Sequence, residues 1–577
     1  MPKSFKIGTN LSYKSENMLK ILTALSVILA STTVFASPRV PDEVKNNGLV
    51  YCTHATGFSF NPQTADAGTS MNVVTEQIYN KLFELKTNSS QVEPSLAQSY
   101  ELSSDGKVLT IHLRKGVKFH HTPWFVPTRD FNSDDVVFSL NRVLGHNTSL
   151  PEFSSEPTES VNRQYQIFYG LAKKTRFPYF ESIKLNQKIE RVESAGPYTV
   201  KIFLVKPDAS ILSHLASQYA IIFSHEYALQ LNADDNLVQL DTLPVGTGAY
   251  QLKDYFRSQY VRLVRHPNYW KTKAKLENIV IDLSTDKTGR LAKFLNNECQ
   301  LAAFPEASQL GLLKEQGERF QTHVVEGMNL SFLAFNFLRP TIQDVDIRRA
   351  IAQAINRQRM IKHIYYDTAT VANNIIPAVS WAASHEQANF EYDYNPEQAK
   401  RLLQNKGLSL DMWVLKDELI YNPSPIKMAE MIKFDLAQVG VKVNVRVVSR
   451  NFLLQNLHDK TEDYDMILSG WLASSLDPDT FMRPILSCST VHEITNLSNW
   501  CSPHFDELLD KGLETNAPNL RAIDYHLAQK EILSQLPILP IANVKRVLIS
   551  DTNVQGVEMT AFGNVHFEKL SFKQERK

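Results

Sequence analysis

The chain has 577 residues, with 61 basic and 61 acidic side chains and a formal net charge of +0. That length is enough for two or three domains with cores of their own. The even charge excludes the basic excess expected of a nucleic-acid binder.

At the N-terminus, Lys14 and Lys20 precede the apolar stretch Ile21 to Ala30, and small residues follow to Val34-Phe35-Ala36-Ser37. A positive flank, a short apolar core and a small residue before the break describe a secretory signal peptide over residues 1–36. The core is short for a membrane span, so an uncleaved anchor is the weaker reading. Met18 is an alternative start, and no Cys at the break suggests a lipid anchor. Cleavage takes four Lys and one Glu from a balanced total, leaving −3. No other stretch reads as a span. Four cysteines follow: Cys52, Cys299, Cys488 and Cys501. An even number in an exported chain favours disulfides. Of three pairings, the short polar loop favours Cys488–Cys501, which leaves Cys52–Cys299. On chain-entropy grounds these are worth up to about 3 and about 5 kcal/mol. Zinc is disfavoured, because close Cys or His pairs are missing.

Taken in chain order, the segments alternate between strand-like and helix-like patterns. Val108 to Arg114 alternates, with Leu109, Ile111 and Leu113 on one face, after a Ser104-Asp105-Gly106 turn. Ser133-Asp134-Asp135 opens a helix through Val143, with Ser133 as its cap. Asp346 to Arg359 shows helical spacing in Ile347, Ala350, Ile351, Ala354 and Ile355. Ser424-Pro425 starts another helix, with proline at its first position, and Gly440 ends it. Val441, Val443, Val445 and Val447 then alternate with polar residues as a half-buried strand. Met466-Ile467-Leu468 reads as a buried strand, followed by Ser469-Gly470-Trp471 and then Leu476-Asp477-Pro478-Asp479. In open α/β sheets, ligands gather at the carboxyl ends of strands. Trp471 offers a flat apolar wall there, and Asp477 a charge able to hold an ammonium group. Asp before Pro is also a good helix start, and the two roles are compatible through different carboxylate oxygens. No flexible linker or repeat marks a boundary, which points to lobes joined by several crossings.

No catalytic set is recognisable. His120-His121 is the one adjacent His pair, and neighbours on a strand point to opposite faces, so packing is the better reading than metal. Gly246-Thr247-Gly248 lacks the Gly-Lys-Ser/Thr ending of a phosphate loop.

The chain resembles the periplasmic peptide-binding proteins of bacterial ABC importers, the family-5 solute-binding proteins. Asn132 to Ser139, Pro244-Val245-Gly246-Thr247-Gly248-Ala249-Tyr250, and Leu333-Ala334-Phe335-Asn336 followed by Asp344 to Asn356 carry the match. Pro123 to Arg129, Lys287-Thr288-Gly289-Arg290-Leu291 and Tyr421-Asn422-Pro423-Ser424-Pro425 are similar to the Sap-type members, linked to antimicrobial-peptide resistance. The cysteine spacing resembles the dipeptide- and haem-binding members, which implies the same two disulfides.

The resemblance implies an α/β, bilobed periplasmic-binding fold (type II-like, cluster C). Lobe one would be 45–330 plus 538–577, with an extra subdomain at 82–192, and lobe two 331–537. It implies a monomeric, non-enzymatic binder without a cofactor of its own. Peptide would be its ligand, and an inner-membrane permease pair with its ATPases its partner; nucleic acid is not expected. The implied cleft residues are Asp477 for the peptide ammonium, with Ser469, Gly470, Trp471 and Tyr421 beside it; Trp413 is a further candidate wall, for which core packing is the better reading. Asp66 and Gly68 match the first-lobe segment that lines the cleft. Relatives clamp the peptide carboxylate with an Arg; the matching residue here is Leu419, beside Asp417 and Glu418, so strict dipeptide specificity does not carry over. The second reading is a haem carrier, with haem as transported ligand. The third is a periplasmic hydrolase.

Overall fold

The computed structural model describes residues 48–573, except 55–58, 65–68, 87–90, 146–174, 285, 315–316, 384–391 and 474. The expected leader, Asp66 and Gly68 lie outside the described residues. Two large sheets organise what is described. The first has seven strands, in the order Phe320–Val325, Arg546–Asp551, Leu301–Ala303, Gly48–Cys52, Asn278–Asp282, Tyr260–Arg265 and Tyr250–Phe256. Gly48–Cys52 sits inside it, parallel to both neighbours. Its side chains alternate between two cores, as a two-residue repeat requires. Leu49 and Tyr51 join the larger core. Val50 and Cys52 join a smaller one that also holds Cys299, Leu291 and Phe294. The Cys52–Cys299 disulfide therefore staples the sheet to the helix Lys287–Leu295 side.

The second sheet has six strands, in the order Ala369–Val371, Ile538–Val544, Asn329–Phe335, Met466–Leu472, Ser409–Leu415 and Lys442–Val448. Asn329–Phe335 is buried along its whole length, with Leu333 and Phe335 facing one core and Leu330, Phe332 and Ala334 the other. Cys488–Cys501 is the second disulfide.

A smaller four-stranded sheet, Ala97–Leu102, Val108–Leu113, Thr199–Leu204 and Ile189–Ser194, stands apart from both. Leu109, Ile111 and Leu113 are its buried face, as the alternation predicts. Its last-in-sequence strand, Thr199–Leu204, runs past the expected limit at 192 because it hydrogen-bonds between Val108–Leu113 and Ile189–Ser194.

The chain crosses between the large sheets from Val325 to Asn329 and from Val544 to Arg546. The crossings are tied together, with Asn329 Nδ2 donating to the Val544 carbonyl at 2.7 Å and Val544 N–H donating to Asn329 Oδ1 at 2.9 Å. A Cβ on Gly327 would meet those same groups at 2.3 and 2.4 Å, so only glycine fits there. This corrects the expected boundary at 538. The strand Ile538–Val544 belongs to the second sheet, and the chain returns to the first only at Arg546.

Three local expectations change. The helix Ser133–Leu144 is capped by Asn132, whose side chain accepts from Asp134 N–H while Asp135 answers as a capping box. The single helix expected over 346–359 is two, Val345–Ala354 and Arg357–His363. Ile355 turns extended and Asn356 caps the second helix through Arg359 N–H. The strand beginning at Met466 continues through Ser469, Gly470 and Trp471 to Leu472, because that stretch pairs with Asn329–Phe332.

His120 is buried and packs as expected. It joins the glycine turn, with Nε2 3.0 Å from the Gly248 carbonyl and Gly246 N–H donating to Nδ1. A Cβ on Gly248 would lie 2.2 Å from the Gln77 carbonyl, so the turn exists for close backbone packing.

Candidate functional site

The segment after the strand Ser409–Leu415 forms a partition between two cavities. Leu419 and Asn422 exchange backbone hydrogen bonds, closing a tight turn. Asn422 pins that turn to the sheet. Its Oδ1 accepts from Ser331 Oγ at 2.6 Å, and its Nδ2 donates to the Ser469 carbonyl at 3.0 Å. Tyr365 Oη donates to the Tyr421 carbonyl at 2.8 Å. The Tyr421 ring lies directly on Gly470, where an added Cβ would be 2.3 Å from Cδ2.

On one side of the partition is a cavity of about 340 Å³. The second lobe contributes Ser469, Gly470, Trp471, Leu472 and Tyr421, and the first lobe contributes Pro178 and Tyr179 of its small subdomain together with Tyr219. Tyr179 and Tyr219 stack with centroids 4.5 Å apart. Trp471 is fixed by its indole N–H, which donates to the Thr480 carbonyl at 3.4 Å. Charges of both signs close the rim: Arg176, Glu181, Arg450 and Glu493.

On the other side is a cavity of about 490 Å³. Its first-lobe wall includes His54, Lys287, Arg290, Phe304 and Glu306; its second-lobe wall includes Lys416, Asp417, Glu418, Leu419 and Ile420. Lys287 Nζ reaches across to Glu418 at 2.8 Å and to the Pro423 carbonyl at 3.1 Å. Burial, then Arg290 and Lys287, lower the His54 pKa to about 4, so this ring is neutral at ordinary pH. Both cavities therefore lie between the lobes, with Leu419 facing one and Tyr421 the other.

Ser469, Gly470, Trp471 and Tyr421 are thus brought together, and Leu419 lines the neighbouring chamber. Trp413 is not with them. It is 1% exposed and packs in the second lobe's core, 5.3 Å from Phe452 and 5.1 Å from Tyr464 between ring centroids. It lies on a buried strand and lines neither cavity.

Asp477 also departs from expectation. Its carboxylate is 2% exposed and lines neither cavity. Oδ2 is 2.9 Å from Arg521 Nη2, and Oδ1 accepts from the same nitrogen and from Asp479 N–H. Burial raises its pKa and Arg521 lowers it, with a net upward shift. The helix Asp479–Leu486 has Pro478 as its N-cap, one residue later than expected, and Asp477 only receives the N–H of its first residue. The charge beyond the tryptophan faces an internal arginine rather than the gap.

Tyr179, Tyr219 and Arg450 carry no signal in the sequence as site residues, because a cavity assembled from three separate elements leaves no local spacing. Among the described residues, no group of three His, Cys, Asp or Glu side chains is arranged to hold a metal ion, and no helix is long and apolar enough to cross a membrane.

The profile of the family described as bacterial extracellular solute-binding proteins, family 5 Middle, matches residues 91–493. The peptide transport periplasmic protein SapA of Haemophilus influenzae is 60% identical over 559 residues, covering 97% of this chain and 99% of that protein. Heme-binding protein A of the same species is 34% identical over 530 residues, covering 91% and 92%. A crystal structure of the dipeptide binding protein from a Pseudoalteromonas species in complex with Met-Leu superposes with a TM-score of 0.79 at 34% identity, covering 91% of this chain and all of the other (100%).

Proposed function

Because the chain belongs to the bacterial extracellular solute-binding proteins of family 5, we propose that it is the periplasmic peptide-binding component of an ABC importer. In this reading it is exported by a cleaved leader at 1–36, performs no chemistry of its own, and hands its guest to an inner-membrane permease pair. The observation that carries the reading is the pair of interlobe cavities on either face of the 416–423 partition, each walled by both lobes. Lobes that close over a guest by hinge motion are a known mode of such binders. The two tied crossings are where that hinge would lie.

In the smaller chamber, Trp471, Tyr421, Tyr179 and Tyr219 supply apolar surface for side chains of varied shape. Ser469 and Gly470 lie on a strand whose backbone is near that surface, and Asp66 with Gly68 is proposed as the facing segment of lobe one. Main-chain pairing there would tolerate many peptide sequences. Leu419 offers no fork for a terminal carboxylate, so chain length is not fixed at two residues. Cationic antimicrobial peptides are the finer proposal. It rests on the resemblance to the Sap-type members and on Asp417, Glu418 and Glu306, which share the wall of the larger chamber with Lys287, Arg290, Lys416 and Lys545.

Titration calorimetry with a library of short and cationic peptides tests the reading. Binding of several unrelated peptides, weakened at least tenfold by Trp471→Ala, is expected. A haem carrier is the second reading, favoured by the heme-binding relative and by His54 in the larger chamber. A Soret shift on adding haem, with no heat from any peptide, would replace the first reading with the second.

A further inference from the structure

The lobes also meet at a seam that belongs to neither cavity. Lys188 ends the short helix Leu185–Lys188 of the small subdomain, and Val205 N–H donates to its carbonyl. Its ammonium lies 2.5 Å from Asp208 Oδ2 on its own side and 3.6 Å from Asp479 Oδ2 on the second lobe. The three side chains are 12%, 5% and 0% exposed. Immediately beside them, Ala209 N–H donates to the Leu513 carbonyl at 3.0 Å, a backbone bond between the two lobes.

Each half of this seam is supplied with a partner of its own. Asp208 accepts from Ser210 N–H and Oγ at 2.8 and 2.6 Å and keeps Lys188. Burial opposes its charge, but Lys188, His214 and Ser210 outweigh that and hold its pKa below the ordinary range. Asp479 is paired along its helix with Arg483, Nε to Oδ1 at 2.8 Å, and Arg483 also reaches Asp510. His214, whose titration Lys188, Asp208 and Asp479 all influence, is engaged by Ser210 Oγ and Tyr179 Oη.

We propose that Lys188 is a reversible clasp, a cation shared between Asp208 and Asp479 that favours the closed arrangement of the lobes and leaves no charge unpaired when they part. A buried ion pair is usually costly to break because one partner is stranded without water or counter-ion. Here parting the lobes returns the Lys188–Asp208 pair to one side and the Asp479–Arg483 pair to the other. The clasp adds attraction across a low-dielectric seam without the penalty that would lock it. The bridge between Lys287 and Glu418, 29% and 57% exposed, crosses the same gap but is open to solvent and contributes less.

Hydrogen exchange in the ligand-free protein reads the clasp without reference to any cargo. The Ala209 amide is protected only while the lobes meet; the amides of Thr199–Leu204 report the small subdomain itself. In Lys188→Gln the Ala209 amide is expected to exchange about tenfold faster, as one power of ten is lost from the closed-to-open ratio, with the strand unchanged. Lys188→Arg retains the charge and is expected to exchange more slowly at Ala209 than Lys188→Gln does. Asp479→Asn acts in the same direction as Lys188→Gln. An Ala209 rate unchanged in Lys188→Gln or in Asp479→Asn overturns the proposal. So does a loss of protection that spreads equally to the strand, because Lys188 would then serve its own subdomain and not the seam.

Discussion

Replacing Asp477 by Asn keeps the shape of the side chain and removes its charge. Arg521, 7% exposed, then loses the carboxylate that touches it at 2.9 and 3.0 Å. Breaking a buried pair by removing one partner costs about 3–5 kcal/mol. Arg521 keeps its bonds to the Gly512 carbonyl at 2.6 Å and to Tyr525 Oη at 3.0 Å, and it stays 5.0 Å from the Trp381 ring. The cost therefore falls at the low end, about 3 kcal/mol. Arg521→Met is milder, about 2 kcal/mol, because Asp477 can take a proton, in the direction that burial already drives it. The double variant then loses less than the sum, with a coupling of about 2 kcal/mol. Urea unfolding of the four proteins, read by tryptophan fluorescence, measures all three values. Additivity to within about 0.5 kcal/mol would refute the pairing. So would an Asp477→Asn protein of unchanged stability that binds peptide tenfold more weakly, since the carboxylate would then serve the ligand.

Gly470→Ala places a methyl 2.3 Å from the Tyr421 ring and 2.6 Å from the Leu330 carbonyl. The ring must swing into the smaller chamber, so stability falls by about 2 kcal/mol. Peptide affinity falls with it by about tenfold, measurable by calorimetry. The His214 pKa is lowered to about 4 by burial first and by Lys188 next. A folded value below the unfolded one, about 6.5, means that the unfolded chain takes up the proton first. Stability from this group is full above pH 6.5 and is lost as pH falls toward 4, by up to about 3 kcal/mol. Urea midpoints measured across that window should fall less steeply in His214→Gln than in the parent; equal slopes would contradict the assignment.

The elements that sequence reading recovers are those whose signal is local. Leu109, Ile111 and Leu113 alternate, and they are the buried face of their strand. Proline at 425 sets the start of Pro425–Gln438, and Gly440 takes a φ of +84° just past its end. Signals that depend on a distant partner are lost. Ile355 and Asn356 fit a helical repeat, yet Asn356 N–H is taken by Asp435, 79 residues away, and the helix breaks there. Ser469 to Leu472 look like a loop until the strand Asn329–Phe335 is set beside them. The alternation of Val441 to Val447 is half right: Val443 is buried, whereas Val447 is exposed at the end of the sheet's last strand. At the site, Trp471 and Gly470 announce themselves through composition and position. Asp477 looks free only because Arg521, 44 residues later, is invisible to spacing. Tyr179 and Tyr219, stacked on each other in the first lobe, are likewise visible only in the folded chain.

Native mass spectrometry of the protein taken gently from its periplasm puts the claim of an enclosed peptide to its most direct trial. The folded ion should carry extra mass that leaves on activation as a mixture of short peptides, and Gly470→Ala should carry less of it. A population with no added mass in either protein, or one whose only companion is a porphyrin, would contradict it.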